Sequence, residues 1–179
     1  TVPSQIADRP GYIEEFLRFW SSRPEIAKIW FSLFTPQRGA TDVEIISPRQ
    51  RAVTIDTFRR LLPQYPLLDM PEPVLRELEQ PPTNPDACIF ARTTQTISAD
   101  LTTRITPCQF GGDPDCSQCG CIASMGLAAV GHYPLVGSLT AGQVFMASDR
   151  LGRRWKALRD ALSPPQSAPP VPPFNILQP

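Results

Sequence analysis

The sequence has 179 residues, with 17 basic side chains, 17 acidic side chains and a single histidine. This balance of charge excludes bulk electrostatic attraction to nucleic acid or to an anionic membrane, and no apolar run reaches the roughly 18 residues of a membrane span. We therefore expect a cytoplasmic protein of one or two small domains, with neither nucleic acid nor membrane as a partner.

The first eighty residues alternate between predicted strands and helices. The opening TVPSQI is typical of a strand, and because no methionine precedes it we expect the chain to be a fragment. Asp8 as N-cap and apolar residues at helical spacing predict a helix over residues 8–22, and the run AKIWFSLF predicts a second strand covered on both faces. The predicted fold class is α/β with parallel strands.

A further helix is predicted where Ser47 as N-cap precedes Pro48. Its buried face should carry the apolar residues Val53, Phe58, Leu61 and Leu62. A short apolar piece, LLDM, and a weak helix, PEPVLRELEQ, complete this half of the chain.

The pattern changes after residue 80. TTQTISADLTTRITPC predicts a β-hairpin whose turn begins at Asp100 and whose second strand ends at Cys108. IASMGLAAVG predicts a short helix and SLTAGQVFMASDRLGRRWKALRDAL a longer one, in which Trp155 is expected in a core or an interface and RLGRRWK on a solvated face. The last 17 residues, from Ser163, contain seven prolines and are predicted to form a disordered tail.

Four of the five cysteines fall between residues 107 and 121, with the spacing C-x7-C-x2-C-x-C. Disulfides fit poorly, because the count is odd and Cys119 and Cys121 are too close to pair without strain. A zinc site usually uses two paired knuckles, whereas this chain has one C-x2-C, and the apolar context of His132 favours a structural role. An iron–sulfur cluster accepts cysteines from distant segments, so spacing alone leaves zinc and cluster equally open.

The cysteine loop also contains glycines and carboxylates. Gly111 and Gly112 either donate backbone N–H groups to cluster sulfurs or form a plain tight turn. Asp113 and Asp115 are expected to be solvated turn residues, because hard carboxylates suit neither soft irons nor a thiolate-rich site.

The stretch from CIFARTTQTISADLTTRITPC to CSQCGC resembles the C-terminal auxiliary-cluster region of radical S-adenosylmethionine enzymes of the SPASM or twitch type. In that family one cysteine precedes a β-hairpin, a second follows it, and a C-x2-C comes after a gap. These positions match Cys88, Cys108, and the pair Cys116 and Cys119. The resemblance implies one auxiliary [4Fe-4S] cluster on these four ligands, with Cys121 as the alternative to Cys88.

The resemblance extends to the first half of the chain. TVPSQI, a helix and KIWFSLFTPQRG are similar to the last strands of the partial barrel that binds S-adenosylmethionine in this family. The implied organisation is the C-terminal part of that barrel over residues 1–80, an auxiliary-cluster domain over 81–162, and the proline-rich tail over 163–179.

The resemblance also implies cofactor contacts, which it places at Ser4, Gln5, Gln37 and Arg38. Polar residues at strand ends are more often loop caps than ligand contacts. The family's catalytic cluster is held by C-x3-C-x2-C, and this sequence lacks that motif. We therefore expect no S-adenosylmethionine cleavage and no turnover from this chain alone.

The resemblance implies three partners: the missing N-terminal half of the barrel, an electron donor, and a peptide or small-molecule substrate. The alternative function is a zinc-stabilised interaction module with no redox role.

Overall fold

A computed structural model describes residues 1–162, and the predicted proline-rich tail lies outside this range. Within it, seven α-helices accompany a 3-10 turn at Cys116–Gln118 and two antiparallel two-stranded sheets. The helices are α1 (Ser4–Ala7), α2 (Tyr12–Ser21), α3 (Pro48–Leu61), α4 (Glu72–Glu79), α5 (Ile89–Thr93), α6 (Ile122–Gly131) and α7 (Ala141–Leu162). The strands are β1 (Thr96–Ile97), β2 (Arg104–Ile105), β3 (Pro134–Val136) and β4 (Leu139–Thr140).

In place of the predicted parallel strands, three short extended segments lie side by side. Val2 pairs with Leu33, and Ile29 pairs with Leu68, each through an isolated parallel bridge. The Val2 N–H donates to the Ser32 carbonyl at 2.7 Å. The expected succession of extended segment, helix and extended segment is present, but residues 1–80 contain neither a regular parallel sheet nor a barrel.

Proline and early helix formation shorten the first of these segments. Pro3 has no N–H for a ladder, and the chain then turns directly into α1. Ser4 and Gln5, predicted at a strand, are therefore helical. Asp8 is the C-cap of α1, so it does not begin the next helix, and α2 starts after Gly11, whose φ is 77°.

The start of α3 confirms the sequence prediction. The Gln50 N–H donates to Ser47 Oγ at 3.2 Å, and the Ser47 N–H donates to Gln50 Oε1 at 2.8 Å. This reciprocal pair is a capping box, and Pro48 occupies the first turn, where its missing N–H has no helical partner to lose.

The apolar core lies among α2, α3, α4 and the extended segments. Leu17, Phe58 and Leu75 are completely buried, and the rings of Phe31 and Phe58 stack at 5.1 Å. Val53 was predicted on the buried face of α3, but its side chain is 53% exposed. The packed face of α3 therefore runs through Phe58 and Leu61 and leaves Val53 in solvent.

The first hairpin and the last two helices also follow the sequence. β1 pairs with β2 so that Thr96 faces Ile105, and Asp100 Oδ1 accepts the N–H groups of Thr102 and Thr103 at 2.9 and 2.8 Å. The helices α6 and α7 are present as predicted, whereas α5 and the hairpin β3–β4 were not anticipated. Within residues 1–162, none of the helices combines the length and the apolar composition needed to cross a membrane.

Candidate metal centre

Four of the five cysteines line one small cavity. They are Cys88 at the N-cap of α5, Cys108 after β2, Cys116 in the 3-10 turn and Cys119 immediately after it. The cavity volume is about 20 Å³, which is close to the space of one water molecule. None of the five cysteines forms a disulfide. The set lining the cavity is the one that the family resemblance implies.

Local hydrogen bonds fix the positions of these thiols. The Ala91 N–H donates to Cys88 Sγ at 3.5 Å, as expected where a side chain caps a helix. Asp115 caps the 3-10 turn that carries Cys116 by accepting the Ser117 N–H at 3.1 Å, so this carboxylate serves a turn.

Gly120 brings the last part of the cysteine loop directly against the extended segments. The Leu33 N–H donates to the Gly120 carbonyl at 2.9 Å, and the Gly120 N–H donates to Thr35 Oγ1 at 2.9 Å. A Cβ at position 120 would stand 2.3 Å from the Leu33 carbonyl oxygen. Only glycine permits this approach, which places Cys119 and Cys121 on either side of the contact.

Gln37 and Arg38 contact the cysteine loop. Gln37 Oε1 accepts the Asp113 N–H at 2.8 Å, and Gln37 forms an antiparallel bridge with Pro114. Arg38 pairs with Asp113, with 3.2 Å between Nε and Oδ1. These two predicted S-adenosylmethionine contacts therefore hold the loop in place.

The other two predicted cofactor contacts lie elsewhere. Ser4 Oγ donates to the carbonyl of Val43, and Gln5 is exposed on α1. The Gly111 N–H donates to the Cys108 carbonyl at 3.0 Å, as in a plain tight turn. Gly112 has a φ of 60° and lies against Gln37, where a side chain would clash.

The fifth cysteine, Cys121, has a different environment. It is the N-cap of α6, it is 3% exposed, and it packs with the apolar core. Its Sγ accepts a hydrogen bond from Gln109 Nε2 at 2.9 Å. Cys121 does not belong to the lining of the cavity formed by the other four thiols.

Burial makes three of the cavity thiols weaker acids. It raises the pKa of Cys108, Cys116 and Cys119, in the last case to about 11. Neighbouring thiols raise these pKa values further: Cys121 and then Cys88 for Cys119, both Cys88 and Cys121 for Cys108, and Cys88 for Cys116. These three thiols are therefore protonated at neutral pH, and a metal bound here would have to displace their protons.

A half-buried arginine connects the cysteine loop to the first half of the chain. Arg51 Nη2 donates to the Gln118 carbonyl at 2.5 Å, and Nη1 donates to the carbonyls of Cys119 at 3.1 Å and Leu78 at 2.6 Å. Burial lowers the pKa of Arg51, and the nearby Cys119 group partly offsets that effect. Sequence reasoning missed Arg51 because an arginine in the first turn of a predicted helix carries no signal of such contacts.

The donor set fits a soft metal. Thiolates suit zinc or an iron–sulfur cluster, and His132 is engaged elsewhere, with its Nδ1 2.6 Å from Glu77 Oε1. Among residues 1–162, no three Cys, His, Asp or Glu side chains converge closely enough to hold one ion. Because Zn–S bonds measure about 2.3 Å, zinc would require the thiols to move inward, whereas a cubane would require the cavity to widen.

Comparison with known proteins gives no further guide to the function, because no family model, curated protein or solved structure matches this chain.

Proposed function

We propose that this chain binds a [4Fe-4S] cluster through Cys88, Cys108, Cys116 and Cys119. The observation that supports this most is that thiols from separate segments line one cavity, while Cys121 lies at the N-cap position of α6 and packs in the core. The backbone N–H of Ala91, which donates to Cys88 Sγ, is a donor of the kind that tunes the potential of a cluster. The family resemblance, which rests on sequence, selects the same four residues.

We infer further that the chain is the C-terminal part of a radical S-adenosylmethionine protein. The parallel bridges at Val2 and Leu33 and at Ile29 and Leu68, with α2 and α3 between the segments, support the end of a partial barrel over residues 1–80. In the complete protein this cluster would relay an electron or anchor the substrate. Cofactor cleavage belongs to a region with the C-x3-C-x2-C motif, which this chain lacks.

A zinc-stabilised module is the second candidate, and one observation favours it. A cavity of about 20 Å³ has room for about one water molecule, which is less than a cubane occupies. Such a module would use the same four thiols without any redox role.

Anaerobic reconstitution of the full chain with iron and sulfide, in parallel with zinc loading, separates the two functions. A cluster gives a brown protein with broad absorption near about 400 nm and equal amounts of iron and sulfide. A colourless protein that takes up one zinc per chain and no sulfide would overturn the cluster and support the second candidate.

A further inference from the structure

The long helix α7 has two halves with different surroundings. Ala141 and Gly142 are buried, and Asp149 anchors the middle of the helix through ion pairs with Arg92 at 3.6 Å and Arg153 at 2.8 Å. Every residue from 151 to 162 is exposed. The second half of α7 therefore extends beyond the packed part of the protein. An isolated helix as short as residues 151–162 has only marginal stability in water.

Four large apolar side chains lie along this exposed half. Leu151, Trp155, Leu158 and Leu162 are 70, 67, 52 and 77% exposed, respectively. They are separated by four, three and four residues, which places them within about 60° of one another around the helix. This is the alternation of a and d positions in a coiled coil, with Trp155 at a and Leu158 at d. We call these four residues the α7 seam.

The width of the α7 seam favours a helix as its partner. A helix that lies in a membrane interface presents a broad apolar face, whereas a stripe restricted to a and d positions is typical of a coiled-coil contact. The flanking e positions are occupied by Gly152 and Arg159, and the flanking g positions by Arg154 and Ala161. Arginine on each flank keeps the apolar stripe narrow.

The two flanking arginines also select the charge of the partner. In a parallel pair of identical helices Arg154 would face Arg159 of the other copy, and in an antiparallel pair each would face itself. Like charges at these positions repel, so a second copy of this chain is disfavoured. Acidic residues at the same positions of another helix would pair with Arg154, and with Arg159 in competition with Asp160 of its own helix, which lies 3.5 Å from Arg159.

We propose that the α7 seam docks an amphipathic helix of a partner protein whose apolar stripe is flanked by Asp or Glu. This inference does not depend on the identity of the metal, because the exposed half of α7 contains none of the cysteines.

The test uses the full chain and two labelled three-heptad peptides. Both peptides carry Leu at a and d; one has Glu and the other has Lys at e and g. In fluorescence anisotropy we expect the Glu peptide to bind about tenfold more tightly or better, with the difference shrinking as salt is added. Trp155→Glu should abolish binding, whereas Lys156→Gln, on the outer face, should leave it unchanged.

Exchange of the flanking charges provides the sharpest version of this test. In the double variant Arg154→Glu and Arg159→Glu, the Lys peptide should become the tighter ligand. Circular dichroism of Trp155→Glu should match that of the original chain, because Trp155 is exposed. Equal binding of both peptides, or of neither, would overturn the proposal. So would binding of anionic phospholipid vesicles without binding of the Glu peptide, or a dimer in sedimentation that Trp155→Glu dissociates.

Discussion

Residues 1–80 and the cysteine segment, residues 88–121, are stabilised in different ways. The first region completely buries large apolar side chains on several elements, among them Leu17, Phe58 and Leu75. The cysteine segment buries Pro114, Gly120 and the four cysteines other than Cys108, and its hairpin contributes no buried residue.

This contrast shows where the stability of each region originates. Apolar burial stabilises by about 25 cal/mol per Å², whereas ordering one residue costs roughly 1–2 kcal/mol. The first region has the apolar area to offset that entropy, and the cysteine segment has little. We therefore expect ligation of the thiols by the proposed metal to supply much of the free energy that orders the segment.

Removal of the proposed metal should have the largest effect and should separate the two regions. We expect residues 88–115 to become protease-sensitive in the chelated, reduced protein, because metal–thiolate bonding of order 10 kcal/mol is lost. Residues 1–80 should stay resistant, and residues 116–121 should stay docked through Gly120 and Arg51. Limited proteolysis with mass spectrometry measures both; equal resistance of residues 88–115 with and without metal would contradict the account.

A cavity made in the apolar core should destabilise residues 1–80 and leave metal binding by the cysteine segment unchanged. Phe58→Ala removes a completely buried ring and should lower the free energy of unfolding by about 3–5 kcal/mol. Iron per folded chain should not change. Val53→Ala on the same helix is the matched control, with an expected change within about 0.5 kcal/mol because Val53 is exposed. Denaturant titration gives both values, and parallel loss of iron in Phe58→Ala would show that the two regions are not separable.

Arg51 connects the two regions, so its replacement should affect both by an intermediate amount. Arg51→Gln leaves the carbonyls of Gln118 and Cys119 without their donor and should destabilise the loaded protein by about 1–3 kcal/mol. Arg51→Lys keeps the charge but loses the planar fork, and it should recover only part of that loss. The exposed Arg49→Gln is the control. Chelator competition and unfolding midpoints report the effect; a full rescue by lysine would mean that charge alone matters.

The smallest expected effect is the dependence of folding stability on pH, which should have opposite signs in the metal-free and the metal-loaded protein. In metal-free protein the pKa of Cys119 is raised to about 11, so the folded state favours the protonated thiol more than the unfolded state does. That contribution is present below about pH 8.5 and should be lost as the pH rises towards 11. In loaded protein, stability should instead fall with falling pH, because protons compete for the thiolates. Cys119→Ser should flatten the metal-free profile, and an unchanged profile in that variant would assign the dependence to another group.

The features that the sequence predicted correctly are those with local causes. The start of α3 depends on Ser47, Pro48 and Gln50, which are neighbours in the chain, and the hairpin turn depends on Asp100 and the two threonines that follow. α7 followed from the spacing of its apolar residues alone.

Features that depend on distant contacts were missed. Arg51 contacts Leu78, Gln118 and Cys119, which lie 27, 67 and 68 residues away, so no local pattern announces the interaction. Gln37 likewise meets the loop through Asp113, 76 residues further on. The predicted strand at Ser4 was wrong for a local reason, because Pro3 cannot donate to a ladder and the chain enters α1 at Ser4.

The central claim is that Cys88, and not Cys121, supplies the fourth thiolate, and iron content tests it most directly. Cys88→Ala and Cys121→Ala would be reconstituted anaerobically side by side, and iron and sulfide counted per chain. We predict that Cys88→Ala loses the cluster, because no water matches a thiolate in softness, and that Cys121→Ala retains it. The reverse result would assign the cluster to Cys108, Cys116, Cys119 and Cys121, and full iron in both variants would contradict a site with four fixed cysteine ligands.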